Sequence, residues 1–142
     1  MAQTQKIALV TGGNRGIGLA ISKRLKESGF QVVVGYRSGD APEGFSGVRL
    51  DVSDTQSVDD AIAKIEADYG SINVLVANAG ITKDGLLLRM SDQDFSDVLN
   101  TNLTGAFRVA RACSKGMLKA RNGKLIFIGS VVGLLGSAGQ VN

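Results

Sequence analysis

The sequence predicts an α/β domain built on a parallel sheet. Three observations carry this expectation: short apolar runs rich in β-branched residues recur along the chain, helical patterns separate most of them, and glycines cluster in the loops that follow. The runs are Ile7–Val10, Val32–Tyr36, Val48–Leu50, Val74–Ala77 and Leu125–Ile128. They are almost continuously apolar rather than alternating, as expected of strands covered on both faces. Alternation of such strands with helices implies right-handed crossover connections.

The elements follow in order. After the first strand, Ile17, Ala20, Ile21 and Leu25 repeat at helical spacing. The second strand is followed by Arg37–Ser46, which is too short and too punctuated by Gly and Pro for more than one helical turn. Val58, Ile62 and Ile65 mark the next helix, with Ser53 and Asp54 as cap residues before it. Ser91 with Asp94 resembles a capping box opening Phe95–Leu99, with Asp replacing the usual Glu or Gln. A longer helix is expected over Leu103–Lys119, leading into the last strand. No repeat, linker or low-complexity segment divides the chain, so residues 1–142 are read as one domain, or part of one.

Composition narrows the function. With 142 residues, 44% hydrophobic and 20% charged, the chain is long enough to bury a core. The net charge is +3, but Lys and Arg form no block, which gives little support to nucleic-acid binding. With no His and a single Cys, a zinc site and a His-based triad are excluded, and no metal site is expected. Cys113 has no internal disulfide partner, which fits a reducing compartment and a packing role. The start, Met1–Lys6, is polar, and the apolar run after it ends at Val10. That is too short for a secretory signal or a membrane span, so a cytoplasmic protein without membrane contact is expected.

The strongest motif is Thr11-Gly12-Gly13-Asn14-Arg15-Gly16-Ile17-Gly18, placed between the first strand and the first helix. Glycines permit a tight turn and let the backbone approach a pyrophosphate. The helix N-terminus adds unpaired N–H groups and a positive dipole end. The glycines at 12, 16 and 18 give G-x-x-x-G-x-G rather than G-x-G-x-x-G, and no Lys-Ser/Thr follows as a P-loop requires. This loop is therefore read as a dinucleotide cradle.

The arrangement resembles the short-chain dehydrogenase/reductase family, and further matches follow in order along the whole chain. Asn78-Ala79-Gly80 closes the fourth strand like the family's N-A-G motif, Asn102 matches its helix-borne asparagine, and Ser130 its catalytic serine. The resemblance implies a Rossmann-type doubly wound sheet of strand order 3-2-1-4-5, with the family's later strands absent from this chain. It also implies hydride transfer between a nicotinamide and a carbonyl carbon. Ser130 would hold the substrate oxygen, and Asn102 would hold a water of the proton relay. Read without the resemblance, Ser130 is an ordinary loop serine and Asn102 a helix-cap residue.

The second strand ends Gly35-Tyr36-Arg37-Ser38, without the carboxylate that usually binds the ribose hydroxyls in NAD sites. Arg37 and Arg15 instead suit the 2′-phosphate of NADP(H), with Ser38 beside them. Asp40 is the argument for NAD, although it lies beyond Ser38-Gly39. The resemblance places Asp51 and Val52 beside the adenine, while Asp51 read alone equally serves to cap the next turn.

The family's Tyr-x-x-x-Lys, which supplies the general acid, is expected to begin just past Asn142, the last residue. Tyr36 and Tyr69 belong elsewhere and do not substitute. A parent longer than this chain is therefore expected, and the exposed edge that Leu125–Ile128 would leave points the same way. Within the family, Ile81–Met90 and the segments around Asn102 and Ser130 look most like 3-oxoacyl-[acyl-carrier-protein] reductases of fatty-acid synthesis. That resemblance implies an acyl thioester on an acidic carrier, with Arg121 as a contact, and a homotetramer built on the Leu103–Lys119 helix. Arg111, Lys115 and Lys119 fit either a carrier-facing surface or a plain solvated one. A non-catalytic cofactor-binding module and one half of a split reductase remain as alternative readings.

Overall fold

A computed structural model describes residues 5–142. The polar start expected over Met1–Lys6 lies outside the described residues as far as residue 4. The strands are β1 (Ile7–Thr11), β2 (Gln31–Tyr36), β3 (Ser46–Arg49), β4 (Ile72–Ala77) and β5 (Lys124–Phe127). All pair in parallel, in the order β3-β2-β1-β4-β5. The order expected from the resemblance is thus found among the described residues.

Helices cover both faces, which explains the nearly continuous apolar strands. On one face Leu9, Val33 and Leu75 are buried with Ile65 of α2 (Thr55–Tyr69) and with Val109, Cys113 and Met117 of α4 (Gly105–Ala120). On the other, Ala8, Val10, Val32, Val34 and Val76 pack with Ile21 and Leu25 of α1 (Gly16–Glu27). Full burial of each such side chain contributes roughly 1.5–3 kcal/mol before chain entropy is charged. The outer strand β5 is different. Leu125, Ile126 and Phe127 are 40%, 43% and 56% exposed, because β5 has a neighbour only in β4.

Most strand ends shift by one or two residues from the sequence reading, and two differences have a packing cause. The third strand is Ser46–Arg49 rather than Val48–Leu50: pairing starts at Val33↔Ser46, and Leu50 leaves the ladder while its N–H still bonds the Tyr36 carbonyl at 2.9 Å. Gly47 lies in this strand because a Cβ there would come within 2.5 Å of Ala41 and 2.8 Å of the Tyr36 ring. The connection Arg37–Ser46 therefore folds tightly over the strand without forming a helix. The second difference is in the long helix. The expected Leu103–Lys119 helix is not separate from the one before it. α3 (Asp92–Val98) continues through a π turn, Leu99–Thr104, into α4.

Caps act as expected, with one exchange of roles. Asp54 caps α2 by accepting the Gln56 N–H, and Ser91 caps α3 by accepting the Asp94 N–H. Ser53 instead donates to Asp51. A short helix not foreseen in the sequence, α5 (Val132–Leu135), follows β5.

Candidate functional site

The site forms where β1 and β4 end side by side. The Thr11 hydroxyl oxygen accepts the N–H groups of Asn78 and Ala79, each at 3.0 Å. In return the Asn78 amide donates to the carbonyls of Thr11 (3.0 Å) and Gly12 (3.3 Å). Gly12 and Gly13 donate to the Gly35 carbonyl, which ties the loop to β2 as well. Three adjacent strand ends are thereby held together, leaving a crevice above them.

The glycines have distinct reasons. Gly12 and Gly16 adopt φ of +63° and +53°, in the left-handed region that favours glycine. A Cβ on Gly18 would collide with the Gly12 carbonyl and lie 2.5 Å from the Asn78 amide. Gly13 does not line the crevice. It is buried, and a Cβ there would come within 2.8 Å of the Ser22 hydroxyl on α1. It seats the loop on α1.

A cavity of about 320 Å³ occupies the crevice. Every other sequence-assigned cofactor residue lines it: Gly12, Asn14 to Gly18, Arg37, Ser38, Asp51, Val52, and Asn78 to Gly80. Leu50, Ile81 and Thr101 line it too and were missed. Ile81 directly follows the Asn-Ala-Gly motif, so its adjacency was an available signal; Thr101 arrives only through the π turn.

The electrostatics favour an anionic ligand at two points. α1 begins at Arg15 with no side-chain cap and no acidic residue in its first turn, so its amide groups face the cavity uncompensated. Arg15 and Arg37 are exposed at the rim, and neither forms an ion pair among the described residues. Asp40, the argument for NAD, is not among the lining residues. The Asn14 amide donates to the Ser38 carbonyl at 3.1 Å, bracing the two loops that carry these arginines.

Asp51 both closes a turn and lines the cavity. Its carboxylate accepts the Ser53 N–H (2.9 Å) and hydroxyl (2.6 Å), closing the turn, while the residue also lines the cavity. Burial pushes its carboxyl up. The Ser53 hydrogen bonds, aided by the Arg37 and Arg108 guanidiniums, outweigh this and leave it below the ordinary 3.8.

Beside this cavity a second, open depression brings Asn102 and Ser130 together with residues 81–87 and 132–142. Asn102 is not a helix cap; it lies within the π turn. Its side chain accepts the Ile81 N–H at 2.8 Å and donates to the Ile81 carbonyl at 2.9 Å, fixing the segment after Gly80. Ser130 is exposed, and its oxygen accepts the Val132 N–H at 3.2 Å, leaving the hydroxyl proton available to a ligand.

The rim of the depression is knitted by hydrogen bonds from Gly85 N–H to the Gly139 carbonyl (2.8 Å), Gln140 to Asp84 (3.0 Å) and Asn142 to the Lys83 carbonyl (2.9 Å). The Lys83 ammonium reaches Asp97 at 2.8 Å and Asp94 at 3.1 Å. These partners raise the lysine above its ordinary value. Asp97 is lowered first by its Lys83 bond, Asp94 first by its Ser91 bond and then by Lys83.

Neither tyrosine joins this arrangement. Tyr36 ends β2 beside Gly47, Tyr69 ends α2, and neither lines either cavity. Arg121 sits outside both cavities as the left-handed cap of α4, with φ of +50°. Cys113 is buried, and burial together with Glu66 pushes its thiol up to about 12, so it is unreactive. No group of metal-ligating side chains occurs among the described residues, and no helix among them is long and apolar enough to cross a membrane.

Known proteins are similar to this chain in sequence. The family model described as short chain dehydrogenase matches residues 6–142. A 3-oxoacyl-[acyl-carrier-protein] reductase, MabA, of Mycobacterium avium is 48% identical over 141 residues, covering 99% of this chain and 55% of that protein. The MabA reductase of Mycobacterium tuberculosis (strain ATCC 25618 / H37Rv) is 50% identical over 134 residues, covering 94% and 54%. The FabG reductase of Escherichia coli (strain K12), named for the same reaction, is 43% identical over 145 residues, covering 96% and 59%. The chain thus spans a little over half the length of these relatives. With the strand order, the glycine cradle and the Asn-Ala-Gly strand end in agreement with that match, the chain belongs to the short-chain dehydrogenase family.

Proposed function

We propose that residues 1–142 form the NADP(H)-binding part of a cytoplasmic oxidoreductase that reduces a 3-oxoacyl thioester, carried on acyl carrier protein, to the 3-hydroxyacyl form in fatty-acid synthesis. The observation that carries the cofactor is the pair Arg15 and Arg37, without ion-pair partners among the described residues, at the rim of a cavity floored by glycines. The printed names of the relatives support the substrate.

The cavity fits a dinucleotide chemically: a glycine turn at which a Cβ would intrude, a helix N-terminus for the pyrophosphate, guanidiniums for a 2′-phosphate, and an apolar wall from Leu50 and Val52. A bound nicotinamide supplies the hydride. The chain's own residues bind, orient and polarise. Ser130 donates its hydroxyl to the substrate oxygen. Asn102 fixes the segment after Gly80 through its bonds to Ile81, and the resemblance gives it a water of the proton relay to hold. The resemblance assigns proton delivery to a Tyr-x-x-x-Lys pair, and neither Tyr36 nor Tyr69 begins that pattern.

A homotetramer is proposed on the outer stripe of α4 and its approach, where Leu103, Phe107 and Leu118 are exposed. Arg121 at the end of that helix is proposed to meet the acidic carrier.

Fluorescence titration with NADPH and NADH tests the cofactor. NADPH binds more tightly, and Arg37→Ala weakens NADPH about tenfold or more while leaving NADH nearly unchanged, as expected for loss of a charge-assisted contact. Equal or tighter binding of NADH sinks the assignment. Reduction of an acetoacetyl thioester tests turnover. Absence of turnover by these residues alone fits the tyrosine placement, and activity restored by a second polypeptide carrying Tyr-x-x-x-Lys identifies a split enzyme.

A further inference from the structure

Arg108, one turn into α4, makes three hydrogen bonds across the joint between the two cavities. Its Nη1 donates to the carbonyls of Val52 (3.2 Å) and Asn100 (3.3 Å), and its Nη2 donates to the Asn100 side-chain oxygen at 2.9 Å. Val52 is part of the cofactor-cavity wall. Asn100 belongs to the π turn that also carries Thr101, on the same wall, and Asn102, which holds Ile81.

The joint is tight for a second reason. The Asn100 carbonyl also accepts the Gly105 N–H in the wide turn, and a Cβ on Gly105 would lie 2.8 Å from a Val52 methyl. The backbone of the π turn therefore rests directly on Val52. A planar fork with fixed donor directions bridges two carbonyls and an amide at once; an ammonium on a flexible stem does not match that set. Wide turns of this kind are rare and occur mostly as single turns inside α-helices, frequently at functional sites.

We infer that Arg108 is a positioning residue that ties the cofactor wall at Val52 to the π turn, so that occupancy of the dinucleotide cavity tightens the segment bearing Asn102. The coupling rests on the cofactor reading above; the tie itself does not. Neither substrate nor cofactor need touch the guanidinium, because it acts through two main-chain segments that do line the cavity. A residue that merely anchored α4 would stabilise the fold equally with and without ligand. A tie makes the two segments loosen together and makes one respond to ligand at the other.

Amide hydrogen exchange on residues 1–142 separates these possibilities. Two informative amides are Asp54, bonded to the Asp51 carbonyl, and Gly105, bonded to the Asn100 carbonyl. In the ligand-free Arg108→Gln variant both are expected to exchange about tenfold faster or more, as for loss of a charged hydrogen-bond donor. NADPH is expected to slow exchange at Gly105 in the original chain and to lose that effect in Arg108→Gln, even at saturating NADPH. Arg108→Lys, which keeps the charge and supports folding if the glutamine variant does not fold, is expected to restore protection only in part. Loosening of one amide without the other overturns the tie. So does NADPH protection of Gly105 that persists undiminished in either variant. If the original chain binds neither NADPH nor NADH, the cofactor reading fails by itself and the ligand-free comparison still decides the tie.

Discussion

Single residues decide whether the crevice exists. Gly18 is the sharpest case, because its missing Cβ is the space occupied by the Gly12 carbonyl and the Asn78 amide. Gly18→Ala is expected to cost about 1–3 kcal/mol through overpacking and to abolish dinucleotide binding. Urea denaturation and NADPH fluorescence measure the two effects, and full-affinity binding by the variant refutes the account. Asp51 predicts a pH dependence. Its carboxyl is held lower in the folded chain than its ordinary 3.8, so the unfolded chain binds the proton more tightly. The stability it contributes is present above that value and is lost as pH falls through the lower folded one. Asp51→Asn should therefore flatten the acid limb of thermal stability from about one pH unit above 3.8 downward, as read from the thermal midpoint against pH. At this scale the sequence was informative wherever chemistry depends on residue type: Gly12, Gly16, Gly18, Arg15, Arg37 and Asp51 all reach the cavity. Gly13 packs against α1, because glycine has two uses, approach to a ligand and approach to a neighbouring helix, and spacing does not distinguish them.

Elements place those residues, and here legibility varied with the range of the interaction. The strands of the core were readable because burial on both faces leaves a local, nearly continuous apolar signature. The π turn was not, since it depends on Gly105 meeting Val52, more than fifty positions earlier in the chain. The same holds for the loop after β4. Lys83 anchors it to α3 through Asp94 and Asp97, and both carboxyls respond by dropping below their ordinary value as the lysine rises above its own. The latch is therefore closed across the neutral range and opens only when acid protonates the carboxyls or strong base neutralises the lysine. Because these side chains are each a third or more exposed, Lys83→Met should leave the thermal midpoint nearly unchanged. It should instead speed exchange of the Gly85 amide and proteolysis within residues 81–90. A large fall in the midpoint without any change in the loop would contradict this division.

At the scale of the molecule, β5 is expected to govern association between copies of these residues. Its side chains are 40–56% exposed between Leu125 and Phe127, with a paired neighbour on one side only. Such an edge templates association with another strand. Phe127→Lys is expected to reduce concentration-dependent light scattering of these residues while leaving the circular dichroism of the sheet intact; scattering that does not change would place the association elsewhere. The overall topology was legible because strand and helix alternate so regularly, and the bareness of β5 followed from the strand order that the resemblance implies. The tie between Thr11 and Asn78 has a consequence in time. These partners are 67 positions apart, so during synthesis the glycine loop emerges long before the strand end that completes its wall. Contacts this distant along the chain are late and slow to form. A growing polypeptide that has not yet delivered Asn78 from the ribosome has its phosphate loop but no crevice, and the cofactor can first act as a folding ligand only after that residue has emerged.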